Sequence, residues 1–350
     1  MRALQLKSFQ SDPELVDLPD PQAGPGQVVI KVGGAGACHS DLHVMREFAE
    51  GAAPWGPPFV LGHEAAGWVH QVGSGVRWLE QGTPVAVYGL LGCGRCEPCA
   101  AGAENLCVHG MEGPPGIGFG VDGAMAEYLL ITDPRRLVPI GDLDPVDVAP
   151  LTDAGLTPYR VIKRVLPKLT PGSHAVVIGA GGLGHLAIQI LKALTPATVI
   201  AVDTREPALA LAREVGADVT VLTGDTVLAG DNGAAAVIEA THGARADVVL
   251  DFVGAEPTIA LGAAVAKAGT DLVVVGAAGG QFSWNFYVLP YEVNLTTSFW
   301  GSLPELHEVI ALAQRGLIKA HIQRFPLDQA MHAYELMEQG QLAGRAVVVP

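Results

Sequence analysis

The sequence is poor in charged residues, and basic residues are the scarcer kind. Charged residues make up 16% of the 350 residues, with 21 Lys and Arg against 36 Asp and Glu, for a formal net charge of −15. A surface of that sign repels phosphate backbones and anionic lipid, so the composition argues against nucleic-acid and membrane binding. The hydrophobic fraction of 49% excludes an intrinsically disordered chain.

Long uninterrupted apolar runs are also missing. The most apolar stretch, 175–194, is broken by His185, Gln189 and Lys192, which makes it unsuited to the core of a bilayer. The first seven residues carry no apolar segment of the kind found in secretory signals. These features predict a soluble cytoplasmic protein. The length predicts two domains, each large enough to bury a core.

Cysteine is scarce, but four of the five cysteines lie together, whereas Cys38 stands alone upstream. An odd number of cysteines without a secretory signal argues against a disulfide framework. Two C-x-x-C steps and a gap of seven residues give four thiolates close enough to surround one ion. We predict a structural zinc site, because four protein ligands leave no open coordination position. The last gap fits an iron–sulfur cluster poorly. The four residues are Cys93, Cys96, Cys99 and Cys107.

The two halves of the chain have different patterns. Short apolar segments separated by Gly and Pro predict a β-rich N-terminal part, with strands at 28–32, 60–61, 65–72 and 83–88. From residue 170 onward, apolar segments alternate with helical periods, which predicts βαβ units and a parallel sheet. We predict strands at 175–178, 198–202, 248–252 and 272–275, and helices at 182–194 and 206–215. Helices at 304–314 and 327–339 and a strand at 345–349 are expected near the C-terminus, after a return crossing within 295–303.

A glycine-rich segment follows the first strand of this alternating region. Gly179, Gly181 and Gly184 fit G-x-G-x-x-G, with Gly182 and Leu183 completing the turn into a predicted helix. The first glycine permits a tight turn, the second lets the backbone approach a pyrophosphate, and the third lets helix and strand pack closely. The segment therefore predicts dinucleotide binding.

An acidic residue, Asp203, ends the next predicted strand. A carboxylate at that position accepts hydrogen bonds from the adenine-ribose hydroxyls and repels a 2′-phosphate, so it favours NAD over NADP. Arg205, two residues later, is able to meet a phosphate and leaves use of NADP open.

Cys38 and His63 lie in two separate polar segments, Cys38-His39-Ser40-Asp41-Leu42-His43 and Gly62-His63-Glu64. Cys and His from different loops suit a catalytic zinc that keeps one position for water or substrate. This pair needs a third ligand, which the spacing alone does not identify.

Taken together, these motifs resemble the zinc-containing medium-chain alcohol dehydrogenases, most closely the bacterial NAD-dependent secondary-alcohol dehydrogenases. Four motifs occur in that family's order and spacing. They are the Cys38 segment, the pattern Gly62-His63-Glu64-x-x-Gly67-x-five-Gly73-x-x-Val76, the four-cysteine loop and the glycine fingerprint. The resemblance implies an α/β protein with a GroES-like, β-rich catalytic domain, residues 1–152 and 303–350. It implies a Rossmann domain with a doubly wound parallel sheet, residues 153–302, and an active site in the cleft between the domains. It also implies a homotetramer or a homodimer.

The resemblance also supplies the third zinc ligand. Leu151-Thr152-Asp153-Ala154-Gly155-Leu156-Thr157 has a counterpart in the family, and most members have Cys where this chain has Asp153. A carboxylate oxygen is an accepted zinc ligand and preserves the formal charge of the site. Asp41 matches the acceptor of the ring proton of His63, and Glu64 matches an acid beside the zinc ligands.

Further residues match the family's proton path, cofactor contacts and substrate pocket. Ser40 and His43 correspond to a hydroxyl and an imidazole that carry the proton to water. Residues matching cofactor contacts are His39, Thr157, Val275, Trp300 and Arg345. Trp55 and Trp300 fall at positions that line the substrate pocket, where large apolar walls favour hydrophobic alcohols and ketones.

The resemblance therefore implies reversible hydride transfer between a hydrophobic secondary alcohol/ketone pair and NAD, with two zinc ions per chain, of which the catalytic one lowers the pKa of the alcohol. Alternatives are a primary, cinnamyl-type or polyol dehydrogenase of the same superfamily and a non-catalytic NAD-binding regulator. Zinc-free quinone reductases lack the cysteine loop and the Cys38/His63 pair. A zinc-ribbon nucleic-acid module conflicts with the net charge of −15.

Overall fold

The computed structural model describes residues 1–224 and 231–350, the side chains of 231 and 232 excepted. The chain forms two compact units, one of Met1–Leu156 with Gly301–Pro350 and one of Thr157–Trp300. Within the described ranges, no helix has the length and apolar character needed to cross a bilayer.

Short strands dominate the first unit. They are β1 (Arg2–Leu6), β2 (Glu14–Asp17), β3 (Val28–Gly36), β4 (Phe59–Val60), β5 (Glu64–Val72), β6 (Pro84–Val87), β7 (Gly116–Ile117), β8 (Gly120–Val121), β9 (Tyr128–Ile131) and β10 (Leu137–Pro139). Helices α1 (His39–Arg46) and α2 (Glu97–Ala100) lie between them, and α3 (Pro145–Val148) follows β10. Single 3₁₀ turns occur at Glu104–Leu106, Pro134–Arg136 and Ala149–Thr152.

The second unit alternates strands with helices. After α4 (Leu156–Val165) and a 3₁₀ turn at Leu166–Lys168 come β11 (His174–Ile178), α5 (Gly184–Leu194), β12 (Thr198–Asp203), α6 (Glu206–Glu214) and β13 (Val219–Leu222). They are followed by α7 (Asp231–Ala240), β14 (Ala246–Asp251), α8 (Glu256–Val265), β15 (Ala266–Val274) and β16 (Asn294–Thr297).

The C-terminal segment completes the first unit. It contains α9 (Leu303–Gln314), β17 (Ile322–Pro326), a 3₁₀ turn at Leu327–Gln329, α10 (Ala330–Glu338) and β18 (Arg345–Val349). The strand predicted at 345–349 has those bounds, whereas the helix predicted at 327–339 divides into the 3₁₀ turn and α10.

The main sheet of the first unit has the strand order β10-β6-β5-β3-β18-β17, and β9 also pairs with β3. A smaller sheet has the order β2-β1-β4. β18 runs antiparallel to β3, with Val347 opposite Gly36 and Val348 opposite Ala35. This pairing places the last residues of the chain beside the segment that leads into Cys38.

The sheet of the second unit is parallel, with the strand order β13-β12-β11-β14-β15-β16 among the described residues. This is the doubly wound order, and the direction of winding changes between β11 and β14. Its strands are rich in β-branched residues that are buried, including Val176, Ile178, Ile200 and Val202. The predicted Rossmann sheet is confirmed, and its ligand-binding edge is the carboxyl end of β11 and β12.

Candidate zinc and dinucleotide sites

Four donor side chains meet in the first unit: Cys38, His63, Glu64 and Asp153. One ligand atom from each lies within 4.8 Å of the others. Cys38 Sγ is 4.0 Å from Asp153 Oδ2, and His63 Nε2 is 3.6 Å from the same oxygen. Ligand atoms around a tetrahedral zinc lie about 3.3–3.8 Å apart. One distance falls in this range and the other exceeds it by about 0.2 Å, so small side-chain shifts bring the thiol, imidazole and carboxylate around a single zinc ion.

Turns between regular elements place these donors. Cys38 directly precedes α1 and has an extended backbone, so its side chain lies at the start of the helix. His63 follows Gly62, whose φ of 95° is left-handed and whose added Cβ would lie 2.8 Å from Met125 Cγ. Only glycine fits there without strain. Asp153 ends the 3₁₀ turn that precedes α4.

Asp41 orients His63. Asp41 Oδ1 lies 3.0 Å from His63 Nδ1, and both side chains are buried. This bond leaves Nε2 of His63 facing Asp153. Burial lowers the pKa of His63, but the charge of Asp41 and the bonds to Asp153 and Asp41 outweigh it and raise the pKa well above its usual value. A carboxylate in this position fixes the tautomer and the orientation of a metal-binding imidazole.

Cys38 is prepared for metal binding by the charges around it. Burial raises the pKa of the thiol, but Arg345 and His63 outweigh that effect and lower the pKa to about 7. The thiolate, the form that binds metals, is therefore well populated near neutral pH.

Glu64 forms a buried ion pair with Arg345. Arg345 Nε donates to Glu64 Oε2 at 3.1 Å, and Arg345 Nη2 donates to Glu64 Oε1. Burial raises the pKa of Glu64 well above its usual range, while the charge of Arg345 acts in the opposite direction. Gly36 makes room for the pair, because a Cβ at that position would overlap Glu64 Oε2. The residue matched to a cofactor phosphate contact, Arg345, is thus engaged with an acid inside the first unit.

The four-cysteine loop forms a second donor set. The sulfur atoms of Cys93, Cys96, Cys99 and Cys107 lie within 4.8 Å of one another, with Cys96 Sγ 3.9 Å from Cys107 Sγ. The backbone N–H of Cys93 donates to Cys107 Sγ, and that of Cys96 donates to Cys93 Sγ, each at 3.4 Å. Backbone N–H groups of Arg95 and Cys96 lower the pKa of Cys93 to about 6. All four thiols are free, and the set has the composition of a closed structural zinc site.

The glycine fingerprint lies at the carboxyl end of β11. Gly179 has a φ of 86°, and a Cβ on Gly184 would overlap the carbonyl oxygen of Gly179. At Gly181, by contrast, an added Cβ would have Arg205 Nη2 as its nearest neighbour, at 3.3 Å. Helix α5 begins at Gly184, after Gly182 and Leu183. The segment therefore combines a tight turn, an open approach to the backbone and a helix N-terminus that attracts anions.

Asp203 ends β12, next to the fingerprint. Its Oδ2 accepts a hydrogen bond from the backbone N–H of Ala180 at 2.8 Å, and its Oδ1 accepts one from the backbone N–H of Arg205 at 2.9 Å. Arg205 Nε lies 3.4 Å from the same Oδ1. The backbone bonds fix the carboxylate, and Oδ2, which has a single donor, keeps a lone pair with which to accept a ribose hydroxyl.

Three other predicted cofactor residues belong to the second unit. Thr157 is buried in α4. Val275 follows β15, and its backbone N–H donates to the Asp251 carbonyl at 2.8 Å. Trp300 is buried and has a φ of 49°, an uncommon backbone conformation for a bulky residue.

Helix α1 carries the predicted proton-path residues. Ser40 Oγ lies 3.6 Å from Cys38 Sγ, and His43 Nδ1 lies 2.7 Å from Glu47 Oε1. Ser40 and His43 are three residues apart, which places both on one face of the helix. His39, matched to a pyrophosphate contact, is exposed at the first turn.

Trp55 belongs to an aromatic cluster that reaches His63. Ring centroids of Trp55 and Phe119 are 6.4 Å apart, and those of Phe119 and His63 are 4.7 Å apart. Gly120, with a φ of 81°, allows this position, since its added Cβ would lie 2.7 Å from Trp55 Cβ. The ring centroids of Phe9, Phe48 and Phe59 also lie within 6.0 Å of that of Trp55. Single aromatic residues in separate segments give no sequence signal, and only Trp55 was predicted.

Sequence reasoning also missed Tyr334. Its hydroxyl donates to Asp41 Oδ2 at 2.8 Å, across 293 residues of sequence. Tyr334 lies in α10, where the helical pattern indicates only a buried position. No local motif links it to the donor set.

Comparisons with known proteins agree with this geometry. The alcohol dehydrogenase GroES-like domain model matches residues 24–142, and the zinc-binding dehydrogenase model matches residues 182–315. An NAD-dependent alcohol dehydrogenase of Sulfurisphaera tokodaii is 35% identical, with 100% of both chains covered. D-arabinose 1-dehydrogenase (NADP(+)) of Saccharolobus solfataricus is 34% identical and covers 100% of this chain and 97% of its own.

Solved structures give the same result. The alcohol dehydrogenase of the hyperthermophilic archaeon Aeropyrum pernix superimposes with a TM-score of 0.90 at 33% identity, with 100% of both chains covered. Matches of this extent, together with two domain models in the expected order, establish the family. The chain belongs to the zinc-containing medium-chain alcohol dehydrogenases.

Proposed function

We propose that this protein is an NAD-dependent zinc alcohol dehydrogenase that interconverts hydrophobic secondary alcohols and ketones. The observation that carries the proposal is the position of Asp153 Oδ2, which lies 4.0 Å from Cys38 Sγ and 3.6 Å from His63 Nε2. These three groups would hold the catalytic zinc, and the four-cysteine loop would hold a structural one. Zinc supplies a Lewis acid that makes an alcohol hydroxyl acidic enough to lose its proton near neutral pH.

The protein's own groups prepare the donor set and remove the proton. Asp41 holds the His63 imidazole so that Nε2 faces Asp153. Ser40 and His43 share a face of α1, and Ser40 lies beside Cys38. We therefore infer that Ser40 Oγ accepts the hydroxyl proton of the alcohol while its own proton leaves toward His43, and that the imidazole of His43 accepts that proton on one nitrogen and releases a proton to water from the other.

The second unit would bind the hydride acceptor. The open backbone at Gly181 and the start of α5 suit a pyrophosphate, and Asp203 suits the adenine ribose. The carboxylate favours NAD, because it repels a 2′-phosphate. The relative named as an NADP(+) enzyme shows that the family also uses that cofactor. Here Arg205 Nε lies 3.4 Å from Asp203 Oδ1, so the guanidinium partly neutralises the charge of the carboxylate. The carboxylate itself remains, and with it the preference for NAD.

The substrate class follows from the aromatic cluster. Phe119 stacks on His63, and Trp55, Phe48 and Phe9 extend the apolar surface outward from it. Such a surface favours alcohols with aryl or long alkyl groups over polyols, whose hydroxyls would lose hydrogen bonds to water there. In the second unit, we expect the side chain of Trp300 to contact the substrate, and the backbones of Val275 and Trp300 to contact the nicotinamide.

We further propose a homodimer or homotetramer that works in the cytoplasm. Large aromatic side chains are exposed near β16, which ends the strand order of the described sheet, and exposed patches of this kind commonly mark interfaces. They are Trp284, Phe286, Tyr287, Tyr291 and Phe299. A reducing compartment would keep the thiols of the four-cysteine loop available to zinc. Light scattering after size-exclusion chromatography tests the oligomer.

Replacing Asp153 by Asn tests the catalytic site. The amide is a weaker zinc ligand than the carboxylate, so one of two zinc ions and most alcohol oxidation should be lost together. Asp142, which is exposed, provides the control: Asp142→Asn should retain both. Wild-type zinc content and turnover in Asp153→Asn would remove Asp153 from the site. Better turnover of polyols than of aryl alcohols by the wild-type enzyme would contradict the substrate class.

A further inference from the structure

Tyr334 is a buried residue of the C-terminal helix α10 whose hydroxyl reaches the residues behind the donor set. The hydroxyl donates to Asp41 Oδ2 at 2.8 Å and lies 3.3 Å from Met125 Sδ. Tyr334 and Asp41 are both almost completely inaccessible to solvent. Water is therefore unable to replace the bond if the hydroxyl is removed.

The carboxylate of Asp41 has donors from three separate segments of the chain. Oδ1 faces His63 Nδ1 at 3.0 Å, while Oδ2 accepts from the backbone N–H of Cys38 at 3.0 Å and from Tyr334. Two predicted zinc ligands, Cys38 and His63, are thus linked through this one side chain. A rotation of the carboxylate would break or lengthen its hydrogen bonds to both.

Tyr334 is the member of this group that lies outside the N-terminal motifs. Burial raises the pKa of Tyr334 well above its usual value, and the charge of Asp41 raises it further, so the hydroxyl remains a donor at any working pH. The same C-terminal segment also supplies Arg345, which binds Glu64. α10 and β18 therefore provide hydrogen-bond partners for the carboxylates of Asp41 and Glu64.

We propose that Tyr334 is a positioning residue for the catalytic metal: it holds Asp41 so that Oδ1 meets His63 and Oδ2 meets the backbone of Cys38. This inference rests on the proposed function, in which Cys38, His63 and Asp153 bind zinc. Outer partners of metal ligands commonly change metal affinity by about 10–100-fold. Because two donors to Asp41 remain without the hydroxyl, we expect an effect at the lower end of that range.

The test is the rate at which zinc leaves the purified holoenzyme for a chromophoric chelator. Tyr334→Phe removes one oxygen and keeps the ring, and it should release one zinc about tenfold faster than the wild type. The second zinc, in the four-cysteine loop, should leave at the wild-type rate. Tyr88→Phe is the matched control, since Tyr88 is equally buried in the same unit and its hydroxyl donates to the Gly301 carbonyl at 2.8 Å. It should release the catalytic zinc at the wild-type rate, which is the comparison that matters, because the backbone N–H of Asn105 in the four-cysteine loop also bonds this hydroxyl.

A double-mutant cycle separates positioning from general stability. In an Asp41→Ala background the hydroxyl has no side-chain acceptor at position 41, so adding Tyr334→Phe should accelerate zinc release much less than it does alone. Equal acceleration in both backgrounds, equal effects of Tyr334→Phe and Tyr88→Phe, or no effect of Tyr334→Phe would each overturn the inference. If the wild-type holoenzyme holds a single zinc, it is the proposed function that fails.

Discussion

The three fingerprint glycines allow one substitution, Gly→Ala, to separate packing from ligand approach. At Gly184 the added methyl overlaps the Gly179 carbonyl oxygen, so the turn between β11 and α5 must move; overpacking of this kind costs about 1–3 kcal/mol or more. At Gly179 the methyl meets Val253 Cγ2 at 2.7 Å, and the φ of 86° adds about 1–2 kcal/mol. At Gly181 the nearest atom is the flexible end of Arg205 at 3.3 Å, so stability should change by no more than about 0.5 kcal/mol.

Cofactor binding should follow a different order. The Gly181→Ala methyl would stand where we expect the pyrophosphate to approach the backbone. We expect Kd for NADH to rise at least about tenfold, equivalent to about 1.4 kcal/mol. Thermal unfolding of the three variants measures stability, and titration of NADH fluorescence measures affinity. Gly181→Ala should therefore be stable but bind weakly, whereas Gly184→Ala should be unstable.

Two results would refute this reasoning. Wild-type NADH affinity in Gly181→Ala would mean that no pyrophosphate approaches residue 181. A Gly184→Ala variant as stable as Gly181→Ala would mean that the close contact between the two arms of the turn is wrong.

Three further substitutions test other parts of the structure. Gly36→Ala should break the buried ion pair of Glu64 and Arg345, so the free energy of unfolding should fall by about 3–5 kcal/mol and the melting temperature with it. Gly113→Ala, whose added methyl has no atom within 4 Å, should leave the melting temperature unchanged. A normal melting temperature in the first variant would contradict the packing. Asp203→Ala should raise the NADP/NAD ratio of kcat/KM by about tenfold or more, since it removes hydrogen bonds to a charged group worth about 1.5–3 kcal/mol; an unchanged ratio would exclude Asp203 from ribose binding. Trp55→Ala should raise KM for aryl alcohols more than for 2-propanol, and the exposed Trp78→Ala should change neither; equal changes for both alcohols would exclude Trp55 from the substrate pocket.

Local patterns were sufficient to predict the elements that carry the chemistry. The alternation of apolar strands and helical periods predicted the parallel sheet, because strands buried on both faces are continuously apolar. The helix predicted from 182 begins at Gly184, since the turn uses two more residues than the motif suggests. β16, at 294–297, falls in the stretch where we expected a crossing, because an exposed edge strand lacks an apolar pattern.

Contacts between distant segments could not be predicted in the same way. Tyr334 reaches Asp41 from α10, and Phe119 reaches His63 from the turn after β7. Neither residue type is distinctive at its position. The engagement of Arg345 with Glu64 likewise depends on the space left by Gly36, which appears only once β3 and β5 are paired. Such contacts follow from sheet register and packing, and a single sequence carries little information on either.

The central claim is that two zinc sites and a dinucleotide site act together in alcohol oxidation. The most direct test measures zinc per chain in the purified protein together with NADH formation from 1-phenylethanol. We predict two zinc ions per chain and NAD-dependent turnover that disappears when the more labile zinc is removed and returns when zinc is restored. One zinc per chain, with NADH binding but no turnover of any alcohol, would contradict the claim and identify a non-catalytic NAD-binding protein.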